Sequence, residues 1–212
     1  ILTKIYGVSP LSLDEVYTYP PIWIAKVLRW GNFPAAMTSL PFDLFFRNTM
    51  IIAIGVICGN LISNTLVAYG FARLRFPGRD FLFIVLISTT MVPWMVTLVP
   101  VFILFQKIHW VNTLLPLIVP AYFGTPFYIF LLRQFFRTIP SELSDAAKID
   151  GCSELGIFSR IVLPLCGPAI SVIVIFNFQA VWNDFLRPLV YLNDRNLKTL
   201  ALGLYEFREL EG

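Results

Sequence analysis

An all-α membrane bundle is the fold class this sequence predicts, and three observations carry the prediction. Hydrophobic residues make up 57% of the chain and charged residues 14%, with a mean hydropathy of +0.74, too apolar for an ordinary water-soluble domain. Four uncharged runs, 50–72, 81–106, 113–132 and 161–183, are each long enough to cross a bilayer. At about 1.5 Å per residue, a run of about 23 residues reaches about 34 Å, against a hydrocarbon core of about 30 Å. A single long polar stretch, 138–160, separates the third run from the fourth. A helix satisfies its own backbone in hydrocarbon, so the runs are expected to be helices.

In chain order, residues 1–46 mix Lys4, Asp14, Glu15, Lys26, Arg29 and Asp43 with many aromatics and the Pro20-Pro21 pair. This is no crossing segment. It is predicted to be a structured lead-in on the external face, with short helices over 23–30 and 32–46, because it carries too much apolar area to stay solvated. The membrane domain then occupies 47–187, and 188–212 forms a second external segment. The runs are rich in proline: Pro93 and Pro100, then Pro116, Pro120 and Pro126, then Pro164 and Pro168. Each removes a backbone donor, so the helices are expected to bend.

Polar residues inside the runs are few and patterned. Asn60 and Asn64 lie one turn apart beside Ser63. Asn177, Val181 and Asp184 share a face, with Arg187 within i+3 reach of Asp184. Such groups are expected to face the bundle interior, since lipid would leave them unpaired. Asn60, Asn64, Asn177 and Asp184 are therefore candidates to line a translocation path, and interhelical hydrogen bonds would explain them too.

The polar stretch reads as helix, Gly, helix. Pro140 fits the first helical position, Ser141 offers a capping hydroxyl, and Glu142 and Asp145 lie near the positive end of the dipole. Leu143, Ala146 and Ala147 form one narrow face, small enough for another backbone to approach. Gly151 is predicted to stop the helix in the left-handed conformation, and Ser153 to cap a second helix with Leu155, Phe158, Ile161, Val162 and Leu165 on its apolar face. The turn 73–80 holds Arg73, Arg75 and Arg79, whereas 107–112 holds Lys107 and His109, which places the first turn in the cytoplasm. Alternation then makes the polar stretch cytoplasmic and both chain ends external.

The run IPSELSDAAKIDG followed by IVLP resembles the cytoplasmic loop of permease subunits from binding-protein-dependent ABC importers, whose signature is EAA, three residues, then Gly. Asp145, Ala146, Ala147 and Gly151 take the signature positions, and Pro140, Glu142, Leu143, Ile149, Asp150, Leu163 and Pro164 fit the wider pattern. Asp145 stands where Glu is usual and Cys152 where Ala is common. A second stretch, QAVWNDFLRPLVYL over 179–192, resembles the WNEFL segment of the carbohydrate-uptake branch, with Asp184 in place of Glu. Phe71 to Leu74 and 200–207 fit that branch as well.

The resemblance implies a function and a set of partners. Glu142, Leu143, Asp145, Ala146, Ala147, Asp150 and Gly151 would dock on a separate ABC ATPase (nucleotide-binding) subunit. A second permease subunit would complete the path in a cell (inner) membrane, and an extracytoplasmic solute-binding protein would deliver a sugar or oligosaccharide. Members of the branch carry six spanning helices. The four visible here are therefore read as a truncation at both ends. A peptide or amino-acid importer, or a membrane assembly subunit that transports nothing, is the alternative.

Other classes find no residues. There is no GxxxxGK[ST] among the twelve glycines, so energy must come from a partner, and no HExxH or GxSxG marks an intramembrane enzyme. The charge of +3 includes no basic run that would suit nucleic acid. Cys58, Cys152 and Cys166 show neither CxxC spacing nor a disulfide framework, and His109 alone makes no metal site. No cofactor is expected.

Overall fold

The computed structural model describes residues 40–211, all of them in helices, turns or loops. The expected helix over 23–30, and most of the one over 32–46, lie outside the described residues.

Helix α1, Phe42–Arg73, is 32 residues long and is the post against which the rest packs. It begins well before the expected residue 50, running through the end of the stretch where a separate short helix is expected over 32–46, and polar groups in its first turns are provided for. Asp43 sits in the first turn near the positive dipole end. The Asn48 amide donates to the carbonyls of Asn196 (2.7 Å) and Lys198 (3.1 Å), and the Leu200 N–H donates to Thr49 Oγ1 (2.9 Å). These partners come from the end of the chain, where α10, Leu200–Glu211, folds back onto the start of α1. Leu40, Phe42 and Phe45 form a small core there with Leu200 and Phe207.

The second run is two helices. α2, Arg79–Ser88, continues through a tight turn at Thr89–Met91, and α3, Trp94–Lys107, leaves at 94° to it. The run over 81–106 bends at Pro93, as its prolines predicted: proline drives the preceding Val92 into extended backbone (φ −82°, ψ 112°), which no α-helix accommodates. Pro100, by contrast, is carried inside α3.

The third run is also broken. α4, Leu115–Ile118, tightens into a 3-10 stretch at Val119–Phe123, and α5, Pro126–Thr138, follows a break at Gly124 and Thr125. Gly124 has φ +87°, open to glycine, and Thr125 is extended because Pro126 follows. Helix α5 runs past Leu132, the expected end, because Arg133 is provided for. Its Nε donates to the Phe71 carbonyl (3.3 Å), its guanidinium lies 4.0 Å from the Phe83 ring centroid, and Asp80 is 3.8 Å away.

Small residues set how closely the broken helix approaches α1. A Cβ on Gly59 would lie 2.6 Å from the Tyr122 ring, and one on Gly55 would lie 2.7 Å from Ile118. Gly59→Val is therefore expected to force the two segments apart at a cost of about 1–3 kcal/mol, read as a lower Tm of the detergent-purified protein.

After α5 come α6, Ser141–Ile149, and α7, Glu154–Leu165, which contains a π-helical turn at Phe158–Val162. α8, Gly167–Trp182, leaves α7 at 76°, and the short α9, Leu186–Tyr191, leads to α10. Two helical stretches, α1 and α4 with α5, are long and apolar enough to cross a membrane, or four if each bent pair counts as one crossing. The largest core joins Ala68 and Tyr69 of α1 to Ile129, Leu132 and Phe136 of α5, Ile157 and Val162 of α7, and Ile173 of α8.

Candidate functional site

Two regions draw the sequence-selected residues together: a cavity in the bundle and the elbow formed by α6 and α7. The cavity has a volume of about 560 Å³ and lies between α1, α3, α8, α9 and the break before α5. Its polar lining includes Asn60, Thr125, Asn177, Asp184 and Arg187, and Trp94 supplies an aromatic face.

The asparagines form one connected network. Asn60 Nδ2 donates to Asn177 Oδ1 (2.6 Å), and Asn60 Oδ1 accepts from Asn64 Nδ2 (3.0 Å) and from the Thr125 hydroxyl (2.9 Å). Asn64 Oδ1 takes the backbone N–H of Thr125 (2.6 Å), and Asn177 Nδ2 donates to the Ile173 carbonyl (2.8 Å). Asn60 and Asn177 thus tie α1 to α8 while facing the cavity. Asn64 is a correction: it is fully buried and does not line the space. Its amide oxygen instead accepts the Thr125 N–H that the non-helical backbone at Gly124 and Thr125 leaves free, a demand that spacing along α1 does not reveal.

Asp184 and Arg187 meet as their i+3 spacing predicted, with Oδ2 and Nε 4.0 Å apart and the Arg187 N–H donating to Oδ1 (3.3 Å). The Arg187 guanidinium also lies 5.5 Å from the Trp94 ring centroid, which joins α9 to the start of α3. Sequence reasoning missed Trp94 and Thr125. Both follow or sit in helix breaks, where face periodicity carries no information.

The elbow has the expected shape with two changes. Gly151 has φ +80°, and the Ser153 hydroxyl accepts from the Gly156 N–H (3.3 Å), as predicted. Pro140 is the N-cap and Ser141 the first helical residue, with no side-chain cap, because Pro140 stays extended (φ −54°, ψ 136°). The narrow apolar face is also split. Ala146 and the 44% exposed Leu143 look outward, but Ala147 is 8% exposed and packed into the large core, unavailable to any other chain. Glu142, Asp145, Asp150 and Gly151 are exposed. So are Ile149, at 87%, and Leu155, at 71%.

The elbow is fastened to the last turns of α1. Arg73 Nη2 donates to the Ile139 carbonyl (2.5 Å), just before α6. The Tyr69 hydroxyl donates to Glu154 Oε2 (2.8 Å) at the start of α7, and Glu154 Oε1 pairs with Lys148 Nζ (2.7 Å) at the end of α6. The Lys148 hydrogen bond and then the Tyr69 hydroxyl hold the Glu154 carboxyl below its ordinary range. It is therefore charged at neutral pH, and the pairing is lost only as pH falls through that lowered value. Nothing in the sequence joins Tyr69 to Glu154, which are 85 residues apart. Among the described residues no cluster of His, Cys, Asp and Glu could hold a metal ion.

Residues 51–205 match the family described as binding-protein-dependent transport system inner membrane component. The chain is 39% identical, over 96% of its length and 67% of the relative's, to the arabinooligosaccharides transport system permease protein AraQ of Halalkalibacterium halodurans. It is 30% identical, over 91% of its length and 62% of the relative's, to the diacetylchitobiose uptake system permease protein NgcG of Streptomyces coelicolor. It is 31% identical, over 92% and 72%, to the sn-glycerol-3-phosphate transport system permease protein UgpE of Pectobacterium atrosepticum. Among solved structures, a bacterial ABC transporter involved in import of the acidic polysaccharide alginate matches with a TM-score of 0.78 at 20% identity, covering 95% of this chain and 71% of that one. At that identity the match speaks for the fold. The chain thus spans about two thirds of the length of the curated relatives it matches.

Proposed function

This chain belongs to the family of inner membrane components of binding-protein-dependent transport systems, and from that premise we propose that it is a permease subunit importing a sugar or oligosaccharide. Its helices would form half of the solute path and its elbow would dock, on the cytoplasmic side, on an ATPase subunit that supplies the energy. A second permease subunit and an external solute-binding protein would complete the assembly. The chain itself is a transport subunit with no reaction of its own.

The observation that best supports this reading is the outer face of the elbow. Leu143, Ile149 and Leu155 expose apolar side chains beside Glu142, Asp145 and Asp150, on α6 and the first turn of α7, well ahead of the bend into α8. Large aliphatic groups in water invite a partner. At the other region, neutral amides and hydroxyls with one paired carboxylate and guanidinium suit the hydroxyls of a saccharide, and Trp94 suits its ring. The names of the relatives favour saccharides over peptides and amino acids.

The experiment is co-purification and reconstitution of the whole assembly. Ile149→Asp puts a charge into the proposed contact without disturbing the fold, since the side chain touches little of its own chain. The ATPase subunit is expected to be lost from, or bound at least tenfold more weakly by, the variant complex. Retention at wild-type stoichiometry and affinity would remove the docking role.

A further inference from the structure

Arg73 and Tyr69 hold opposite ends of the elbow. Arg73 reaches the residue that leads into α6, and Tyr69 reaches the first turn of α7. Both belong to α1, one turn apart, and α1 also carries Asn60 and Asn64, which tie the cavity to α8 and to the break at Thr125. From Asn60 to Tyr69 the helix advances about 14 Å, at about 1.5 Å per residue. No proline interrupts α1, which carries both ties to the elbow as well as the Asn60 and Asn64 amides, while α5, also unbroken from Pro126 to Thr138, joins the elbow to Thr125 through the chain itself.

The setting of Tyr69 makes it a firm point of attachment. The ring is 6% exposed and packs 5.2 Å from Phe158 of α7 and 6.5 Å from Phe136 of α5, centroid to centroid. Only the hydroxyl reaches the Glu154 carboxylate, which Lys148 grips from the far side of Gly151. The chain Tyr69, Glu154, Lys148 therefore crosses the glycine bend and closes it against α1. A hydrogen bond to an ionised acceptor is stronger than one between neutral groups, and this one carries a bond on each carboxylate oxygen.

We propose that Tyr69 and Arg73 are positioning residues that make α1 a rigid lever, so that displacement of the elbow is delivered through α1, beside the direct chain connection along α5, to the Asn60, Asn64 and Thr125 network at the cavity. The inference rests on the docking reading of the elbow given above. It adds which helix transmits the movement and through which two side chains. In this arrangement the long bent helices follow α1 and do not drive it.

Hydrogen exchange of the intact assembly tests this without knowledge of the solute. The probe is ATP with vanadate against no nucleotide, and the reporter is the peptide over 119–128, because the Thr125 N–H is held by Asn64. In the wild-type assembly the trapped state is expected to change exchange in this segment. In Tyr69→Phe, which keeps the ring and removes the hydroxyl, that difference is expected to fall by half or more while the ATPase subunit still co-purifies and still hydrolyses ATP. Glu154→Gln keeps an acceptor for Tyr69 but loses the Lys148 pair, and should give a smaller loss. Arg73→Lys, which keeps a donor for Ile139, should restore most of what Arg73→Gln removes. An unchanged difference in assembled Tyr69→Phe and Arg73→Gln overturns the proposal, as does a wild-type assembly whose segment does not respond to nucleotide. The docking reading fails separately, if Ile149→Asp retains the ATPase subunit at full affinity.

Discussion

Gly151→Val is expected to reduce solute uptake by about tenfold or more, with ATP hydrolysis continuing and poorly linked to transport. Gly151 sits at φ +80°, where a β-branched side chain is strained by about 1–3 kcal/mol, and about 1.4 kcal/mol is a factor of ten in population. No atom lies within 4 Å of where a Cβ would stand, so the penalty belongs to the backbone and not to a collision. That distinction supplies the control. Gly151→Asn, which tolerates the left-handed region, should retain most of the activity although its side chain is of similar size. If valine and asparagine behaved alike, or valine transported normally with wild-type coupling, the angle at Gly151 would not matter to the elbow. The measurement is the ratio of ATP hydrolysed to solute accumulated in proteoliposomes holding the full assembly.

Asn60→Leu is expected to be the most damaging single change in the cavity. It deprives Asn177 Oδ1 of its donor, and Asn64 Nδ2 and the Thr125 hydroxyl of their shared acceptor, all in a buried setting. Interhelical hydrogen bonds in membranes average about 0.6 kcal/mol, so the two that leave α1, to Asn177 and Thr125, come to about 1 kcal/mol, to which the Asn64 bond within α1 adds. Asn177→Leu breaks only the first interhelical bond and should cost about half as much or less. Reversible unfolding of the purified protein in mixed detergent measures both. The double variant Asn60→Leu/Asn177→Leu should be less unstable than the sum of the singles, because the bond between them is lost once. Strict additivity would mean that the two amides do not act on each other.

Much of this was legible in the sequence where local chemistry decides the outcome. Gly151 and Ser153 took the conformations their residue types favour, and Asp184 met Arg187 at the spacing of one turn. The inward direction of Asn60 and Asn177 followed from the cost of an amide in lipid. The failures share a cause. Pro93 announced a bend but not one of 94°, since that angle is set by what α2 and α3 pack against. Nothing in the run around Gly124 shows how the break there is tolerated, which depends on Asn64, 61 residues from Thr125. Ala147 looked like part of an open face, and its burial depends on a core built from α1, α5 and α7. The hold of Tyr69 on Glu154, likewise, is a property of the assembled bundle that no window of sequence contains.

The return of α10 to the first turns of α1 has a consequence for how the protein is made. Asn48 receives its carbonyl partners from residues 148 and 150 positions further along the chain, and Thr49 receives the Leu200 N–H across 151. At roughly 5–20 residues per second, roughly eight to thirty seconds separate synthesis of this polar pair from that of its partners. An amide stranded that long near lipid needs temporary company, from water at the bilayer surface or from the insertion machinery. The first turns of α1 therefore stay unsealed until α10 arrives.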